Sequence, residues 1–379
     1  MPYETQPIKL KRFTVENFKA FQKCVLELAP LTILIGENSS GKSSLLQALL
    51  LLKQTLESPP GGGILNLNSY YVQFHQFREI VFGMPSGKAI VGFELALGDD
   101  NLSFKIGTAE NQLNLFDVRL NDKKLFLENS GFSFNRNATL RSLLNHYLSG
   151  AQLNEMAIML FFAGIGYVQP IRPLPQRYYD LRGTNPYWIG SQAEDIADFL
   201  EVNPNVKTQV RHWFVELAKM ARDVKFKSNP KRGQMEIVFT EAKSGLEIDI
   251  SRLGFGYSQI LPIVIATFSQ MNMLIFEAPE IHLNPKLHGV MTDLFIEGAL
   301  SGKQVLVETH SEHLIYRVQR RIAEGKLAPS AVAIYYVQRD EKSSVAERLT
   351  ITEKGEIPDW PEGFFEAEMD DIYARVLAA

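Results

Sequence analysis

Over the leading 55 residues the apolar pattern first alternates and then saturates. Ile8 to Val15 and Cys24 to Leu28 are short alternating runs, as half-buried strands require. Leu31 to Ile35 is almost continuously apolar, as a fully buried strand would be. A glycine-bounded loop follows. Ser43 to Leu56 then carries leucines densely enough for a buried helix, ended by Pro59-Pro60-Gly61-Gly62-Gly63. From Lys88 to Phe126, short runs (AIVGFELAL, LSFKI, QLNLFDVRL, KKLFL) broken by Gly-Asp-Asp, Gly-Thr and Asn-Asp predict an antiparallel meander. Apolar spacing predicts helix over 137–164 and again over 192–222, on either side of the proline-broken, basic segment Ile171 to Arg182.

The remainder alternates. Strands around Met235 to Thr240 and Leu246 to Ile250 form an expected hairpin over Lys243-Ser244-Gly245. A helix over Ser258 to Ser269 and a strand over Met273 to Phe276 come next. They are followed by a helix over 285–300, a strand over Gln304 to Val307, a helix over Ser311 to Glu324 and a strand over Val332 to Val337. Such alternation predicts a parallel sheet with helices on both faces. The expected fold is therefore α/β: a mixed sheet flanked by helices, with an antiparallel β subdomain and a helical insert. The division drawn is 1–130 for the N-terminal part of a composite nucleotide-binding head, 131–225 for the insert and 226–379 for the C-terminal part. At ~150 residues per domain a chain of 379 residues suggests two to three domains, and one large domain with an insertion fits equally.

Composition narrows the classes. With 45% hydrophobic and 22% charged residues the chain is neither disordered nor fibrous. A net charge of −4 argues against a whole-surface nucleic-acid binder. Cys24 is the only cysteine, so there is no internal disulfide framework and no CxxC metal site. The longest apolar stretch, Ala157 to Val168, falls short of the ~20 residues that span a bilayer. No apolar signal segment opens the chain. A soluble, cytoplasmic protein without membrane contact is expected.

Gly36-Glu37-Asn38-Ser39-Ser40-Gly41-Lys42-Ser43 satisfies G-x-x-x-x-G-K-[ST] at every position, after an apolar strand and opening a helix, with Ser44 next in the helix. Such glycines let backbone N–H groups turn toward phosphate oxygens, and the helix N-terminus adds its positive dipole end. Lys42 would reach the β- and γ-phosphates of ATP and Ser43 would ligate Mg²⁺. Met273 to Glu277 supplies an apolar strand ending in the carboxylate that a phosphate loop needs for its Mg²⁺. Val305 to His310 is a second apolar strand with a polar end, and His310 there suits a γ-phosphate or attacking water. Leu253-Gly254-Phe255-Gly256-Tyr257-Ser258-Gln259 is a glycine-rich turn opening an apolar helix: either a second anion site or only a flexible hairpin exit.

With these residues together the chain resembles ABC-class ATPase heads of the SMC and OLD kind, and within them the small stand-alone prokaryotic AAA-type ATPases. NFKAF followed by LTILIGENSSGKSS resembles the N-terminal strand and Walker A of that group. GFGYSQILPIV resembles the signature region, IFEAPEIHLNP the Walker B segment, VETHSEHLIYRVQRRI the histidine switch, and PDWPEGFF the C-terminal ending. The resemblance implies a P-loop NTPase of ABC-head type. Glu277 would be the Walker B acid and His310 the γ-phosphate sensor. Gly254, Gly256, Ser258 and Gln259 would face nucleotide in the signature turn, and Gln73 or Gln76 would be the Q-loop ligand to the metal. It also implies a homodimer or larger assembly. One departure matters: the carboxylate that ordinarily follows the Walker B acid is replaced by Ala278. Glu280 is the nearest substitute, as base, solvated residue or dimer contact.

Other clusters are weaker. His282, His288, His310 and His313, with nearby Glu277, Glu280, Glu308 and Glu312, lack the spacing of a transition-metal site. Arg317, Arg320 and Arg321 share a helix face, for a partner or for solvent. The basic stretch 207–232 is the better nucleic-acid candidate. Arg172, Arg177 and Arg182 would reach phosphate or pin the insert to the head. The function expected is slow, Mg²⁺-dependent ATP hydrolysis that gates dimerisation and controls a separate effector, a nuclease or toxin, in phage defence or DNA maintenance. The alternative is an ATP-loaded scaffold without significant hydrolysis.

Overall fold

The computed structural model describes residues 7–59, 63–85, 87, 89–109, 112–125, 139–148 and 153–361. In chain order the elements begin with β1 (Leu10–Phe18), β2 (Phe21–Glu27), β3 (Leu31–Gly36) and α1 (Lys42–Glu57). The meander comprises β4 (Ile90–Leu97), β5 (Asp100–Ala109), β6 (Gln112–Leu120) and β7 (Lys123–Lys124). Next come α2 (Leu140–Tyr147), α3 (Glu155–Ala163), β8 (Ile165–Val168), β9 (Tyr179–Asp180), α4 (Ile196–Val202) and α5 (Pro204–His212). A small sheet follows from β10 (Ala221–Asn229), β11 (Gln234–Glu241) and β12 (Glu247–Asp249). The chain then runs through α6 (Phe255–Phe268), β13 (Met273–Glu277), α7 (Pro285–Leu300), β14 (Gln304–Glu308), α8 (Glu312–Ala323), β15 (Val332–Arg339) and β16 (Ser344–Leu349).

The chain packs as two compact units, each assembled from separate stretches. The first comprises 1–29, 35–165 and 335–348, and the second 30–34, 166–334 and 349–379. In the first unit an antiparallel sheet has the order β2-β1-β4-β5-β6-β7: β4 to β7 are the predicted meander, and β1 and β2 extend it through β4. Its buried face carries Phe13, Phe18, Phe93 and Phe104, with Phe18 edge-on to Phe93 at 5.8 Å. Helix α1 packs on β1, α2 and α3. It is buried nearly all round, which is why its leucines show no polar face.

In the second unit β3, β14 and β13 run parallel, flanked by β15 beside β3 and β8 beside β13. Helices α6, α7 and α8 pack in succession, α6 also on β13 and α7 on β14. The small antiparallel sheet of β10, β11 and β12 joins α5 and α6 through Trp213, Phe214, Phe239 and Tyr257, whose rings meet at 5.0 to 6.4 Å. The helix expected to continue to 222 stops at Leu217, and Ala221 opens β10 instead. Val224 lies buried in β10 while Lys225 and Lys227 on its exposed face both pair with Glu247 across the sheet. The expected helix over 137–164 is two helices, and β8 follows α3 after a single residue, Gly164. Phe126 to Leu127, at the end of the expected meander, and Glu362 to Phe365 of the PDWPEGFF ending lie outside the described residues. No helix among the described residues is long and apolar enough to cross a membrane.

One contact within the first unit bears on the loop that carries Gln73. Gln54, buried on α1, donates from Nε2 to the carbonyls of Asn66 (2.6 Å) and Val72 (3.2 Å). Its Oε1 accepts the N–H groups of Tyr71 (3.2 Å) and Val72 (3.0 Å). Thr55 Oγ1 accepts the N–H of Asn66 alongside (3.0 Å). The carboxamide thus bonds four backbone groups, none of which a leucine of similar size could serve, although the Val72 carbonyl also accepts the Ser69 N–H (3.1 Å). Gln54→Leu is expected to lower stability by ~2–4 kcal/mol, the cost of several buried polar groups left without partners. A urea denaturation midpoint within experimental error of wild type would contradict this.

Candidate functional site

The phosphate-loop residues 36–43 lie in the first unit, running from the end of β3 into α1. Three of them have positive φ: Gly36 (140°), Ser39 (62°) and Gly41 (108°). Turns of this hand point successive N–H groups into one concavity, the arrangement that holds an anion. Gly36 cannot be replaced: a Cβ there would meet the Val337 carbonyl oxygen at 2.0 Å. Glu37, Asn38 and Ser39 are exposed, whereas Ser40 and Ser44 are buried against the protein. Lys42 departs from the solvated side chain that a loop lysine suggests. It is only 3% exposed, and its Nζ donates to the carbonyls of Gly36 (2.9 Å) and Glu37 (2.6 Å). The ammonium is therefore held over the loop. Gly41 caps α1 and no acidic side chain occupies its first turn, so the dipole end stays positive.

In the second unit the parallel register aligns Leu34 of β3 with Glu308 of β14, and Glu308 with Glu277 of β13. All three strands therefore finish at one edge, and from β3 the chain continues into the phosphate loop. Glu277 is half-buried and Glu308 is buried. Tyr167 of β8 donates its phenolic hydrogen to Glu277 Oε2. Burial, and then the negative charges of Glu277 and Glu308, push the Tyr167 phenol far above its ordinary value, so it stays a donor. Sequence reasoning missed Tyr167 because β8 falls at the end of the apolar stretch Ala157 to Val168, directly after the residues that read as helix. Glu308 entered that reading only as one acid near a histidine cluster.

Beyond β13 the chain turns sharply. Ala278 has φ 41° and is buried, and its N–H donates to the Glu308 carbonyl (2.8 Å). A longer acidic side chain at 278 would sit at a buried position and in a strained backbone conformation. Glu280 instead returns to the site: its Oε1 accepts the backbone N–H of His310 (2.7 Å). Glu280 and His310 are therefore brought together, and the His310 side chain is exposed. His288 is not: its ring nitrogens face Ser311 Oγ (2.8 Å) and the Leu283 carbonyl (3.3 Å), and it packs as a core residue.

The glycine-rich turn caps α6, with Gly254 exposed and Gly256 having ordinary space for a Cβ. Ser258 and Gln259, expected to face nucleotide, are buried. Ser258 Oγ donates to the Phe255 carbonyl (2.8 Å), and the Gln259 carboxamide meets Arg172 Nε and the Pro173 carbonyl, each at 3.3 Å. What the turn offers outward is backbone at Gly254 to Gly256. Gln73 is exposed at a hairpin bridged to Asn68 and locked by Gln54, and Gln76 is exposed just beyond it.

The basic candidates are mostly spent inside the second unit. In the 207–232 stretch Lys207 pairs with Glu201, Arg211 with Asp223, and Lys225 and Lys227 with Glu247, while Arg222 donates to the Ala242 carbonyl. On α8, Arg317 and Arg321 pair with Asp293 of α7 and Arg320 with Glu324. Arg182 donates its N–H to Asp198 and its guanidinium to Asp195. Arg177 lies 3.8 Å from Glu236. Most of these pairs tie neighbouring elements together, while Lys219, Lys231 and Arg232 of the stretch are exposed and lie outside them.

Comparison with known proteins fits this architecture. Residues 31–315 match a family described as AAA domain, putative AbiEii toxin, Type IV TA system. Residues 327–373 match a second family, described as a protein of unknown function (DUF3696). No curated protein matches by sequence. Among solved structures, an SMC head bound to the C-winged helix domain of ScpA aligns with a TM-score of 0.56 at 14% identity, covering 91% of this chain and 98% of its own. The SMC head domain from Thermotoga maritima aligns with a TM-score of 0.50 at 13% identity, covering 90% and 100%. An SMC head with an extended coiled coil, bound to the C-terminal domain of ScpA and derived from Pyrococcus furiosus, gives 0.52 at 13%, covering 97% and 99%. At these identities the likeness is one of fold: the ABC-type P-loop head, mixed α/β with an antiparallel sheet and helical additions.

Proposed function

We propose that this chain, which belongs to the AAA-domain family of the putative AbiEii kind, is an ABC-type ATPase that hydrolyses ATP slowly and whose nucleotide state gates its dimerisation. The observation that carries this reading is the shared strand edge. β3 leads into a complete phosphate loop, and the strands parallel to it end in Glu308 and Glu277. In open parallel sheets, ligands bind where strands end and the loops leave them. Gly36 to Ser43 then hold the phosphates of ATP, and Lys42 supplies the cation for the γ-phosphate. The oxygen donors Ser43 and Glu277, with Gln73 as a further candidate, are the hard ligands that Mg²⁺ selects, directly or through its waters. Bound there, Mg²⁺ would neutralise phosphate charge. Glu280 serves as general base and His310 senses the γ-phosphate.

Slow turnover follows from Ala278, whose methyl occupies the place of the usual carboxylate. The same residue favours the second reading, an ATP-loaded scaffold in which nucleotide stabilises assembly without being consumed. In the dimer, the backbone at Gly254 to Gly256 of one subunit would close on the γ-phosphate held by the other. A separate effector, a nuclease or toxin, is the partner this switch would control, in phage defence or DNA maintenance. The description of its family as an AAA domain, putative AbiEii toxin, Type IV TA system, is the ground for placing it in a toxin–antitoxin setting. The SMC heads solved with ScpA domains support a protein partner docking on such a head.

Light scattering with a slowly hydrolysed ATP analogue is expected to show a dimer, and with ADP a monomer or a weaker dimer. Gly256→Glu should abolish the difference, since it adds charge where the γ-phosphate would dock while its Cβ meets only ordinary contacts. A dimer of equal strength in every nucleotide state would overturn the gating. Single-turnover hydrolysis by Glu280→Gln should fall ~10²-fold, the usual contribution of a positioned base, with ATP affinity intact. Rates equal to wild type would remove Glu280 from the chemistry and favour the scaffold.

A further inference from the structure

Arg172 lies in the segment Pro170-Ile171-Arg172-Pro173, where prolines on both sides fix the backbone in an extended form. Extended backbone sends successive side chains to opposite sides. Ile171 is 78% exposed, while Arg172 is 4% exposed. A buried guanidinium is costly unless its N–H groups and its charge are met. Here Nη2 donates to the carbonyls of Ile281 (2.9 Å) and Pro279 (3.3 Å), the residues on either side of Glu280. Nε donates to Gln259 Oε1 on the first turns of α6 (3.3 Å). Nη1 is buried with no hydrogen-bond partner among the described residues, and so is Glu280 Oε2. Burial pulls the guanidinium down to about 10, and the Glu280 carboxylate opposes that shift, so it remains a cation at neutral pH with Glu280 as its nearby counter-charge.

We infer that Arg172 is the positioning residue for Glu280. It grips the two peptide carbonyls flanking that residue, compensates its charge, and ties it through Gln259 to the helix that the glycine-rich turn opens. The inference rests on the reading of Glu280 as general base. It adds a physical link by which closure of the turn reaches the base: α6, the guanidinium and the 279–281 loop form one hydrogen-bonded path. The hydrogen bonds of Arg172 go to Gln259, Pro279 and Ile281, none of them a phosphate-loop residue, so nucleotide affinity should not depend on it.

The test combines kinetics with amide exchange on the intact chain. Arg172→Met removes every donor, and Arg172→Lys keeps the charge but gathers its donors on one nitrogen, which cannot span the oxygens that Nε and Nη2 reach separately, so it guards against a variant that fails to fold. Both are expected to lower kcat by about 10- to 100-fold, the cost of a base displaced by a fraction of an ångström to an ångström, with KM for Mg²⁺·ATP within about twofold of wild type. Arg172→Met combined with Glu280→Gln should be no slower than Glu280→Gln alone. Hydrogen exchange at the His310 amide, which Glu280 accepts, should be faster in both Arg172 variants. A rise in KM with unchanged kcat, additive losses in the double variant, or unaltered exchange at His310 would overturn the inference. If Glu280→Gln alone proves silent, the base assignment fails, and the exchange at His310 still decides whether Arg172 positions Glu280.

Discussion

Every residue of β3 and β14, and all of β13 up to its last, is buried, so these strands have no place for charge along their length. An unpaired charge in such a run costs several kcal/mol, and polar chemistry is pushed to the strand ends. Because the three strands are parallel and in register, their ends coincide at one edge. Glu277 and Glu308 are the consequence, and from β3 the chain runs on into the phosphate loop. The turn at Ala278, fixed by its hydrogen bond to the Glu308 carbonyl, then decides which later residue comes back to that edge, and Glu280 is the one that does.

The parts that could be read from the sequence are those whose cause is local. The phosphate loop is defined by spacing within eight residues, and β3, β13 and β14 by uninterrupted apolar runs bounded by polar groups. What stayed hidden depends on long-range partners. β10 alternates a buried Val224 with lysines whose carboxylate partner, Glu247, lies on another strand, so its charges read as a basic helix end or a nucleic-acid contact. Tyr167 is legible only once β8 is placed beside β13 and its hydroxyl meets Glu277. Lys42 and Gln259 looked like exposed ligands, and both are buried against groups that no spacing rule predicts.

The same distinction governs the cations. Arg317, Arg320 and Arg321 match a docking face in spacing, yet Asp293 and Glu324 occupy them: Arg321 grips both Asp293 oxygens in a part-buried pair between α8 and α7, while the more exposed Arg320–Glu324 pair contributes little. Arg172 is the opposite case. Its proline-flanked setting suggests a pin, and burial between α6 and the loop after β13 makes it one whose removal leaves several carbonyls and a carboxylate uncompensated. Structural and chemical roles thus meet in the second unit at the loop that carries Glu280.

The central claim is that the loop from Gly36 to Ser43 binds the phosphates of ATP through a cation already held over it, with Lys42 Nζ on the carbonyls of Gly36 and Glu37. Calorimetric titration of wild type and Lys42→Ala with Mg²⁺·ATP tests it most directly, with a thermal melt of both to establish that the variant is folded. The account predicts saturable binding to wild type and no measurable binding to a folded Lys42→Ala. Equal affinity in the two proteins would contradict it.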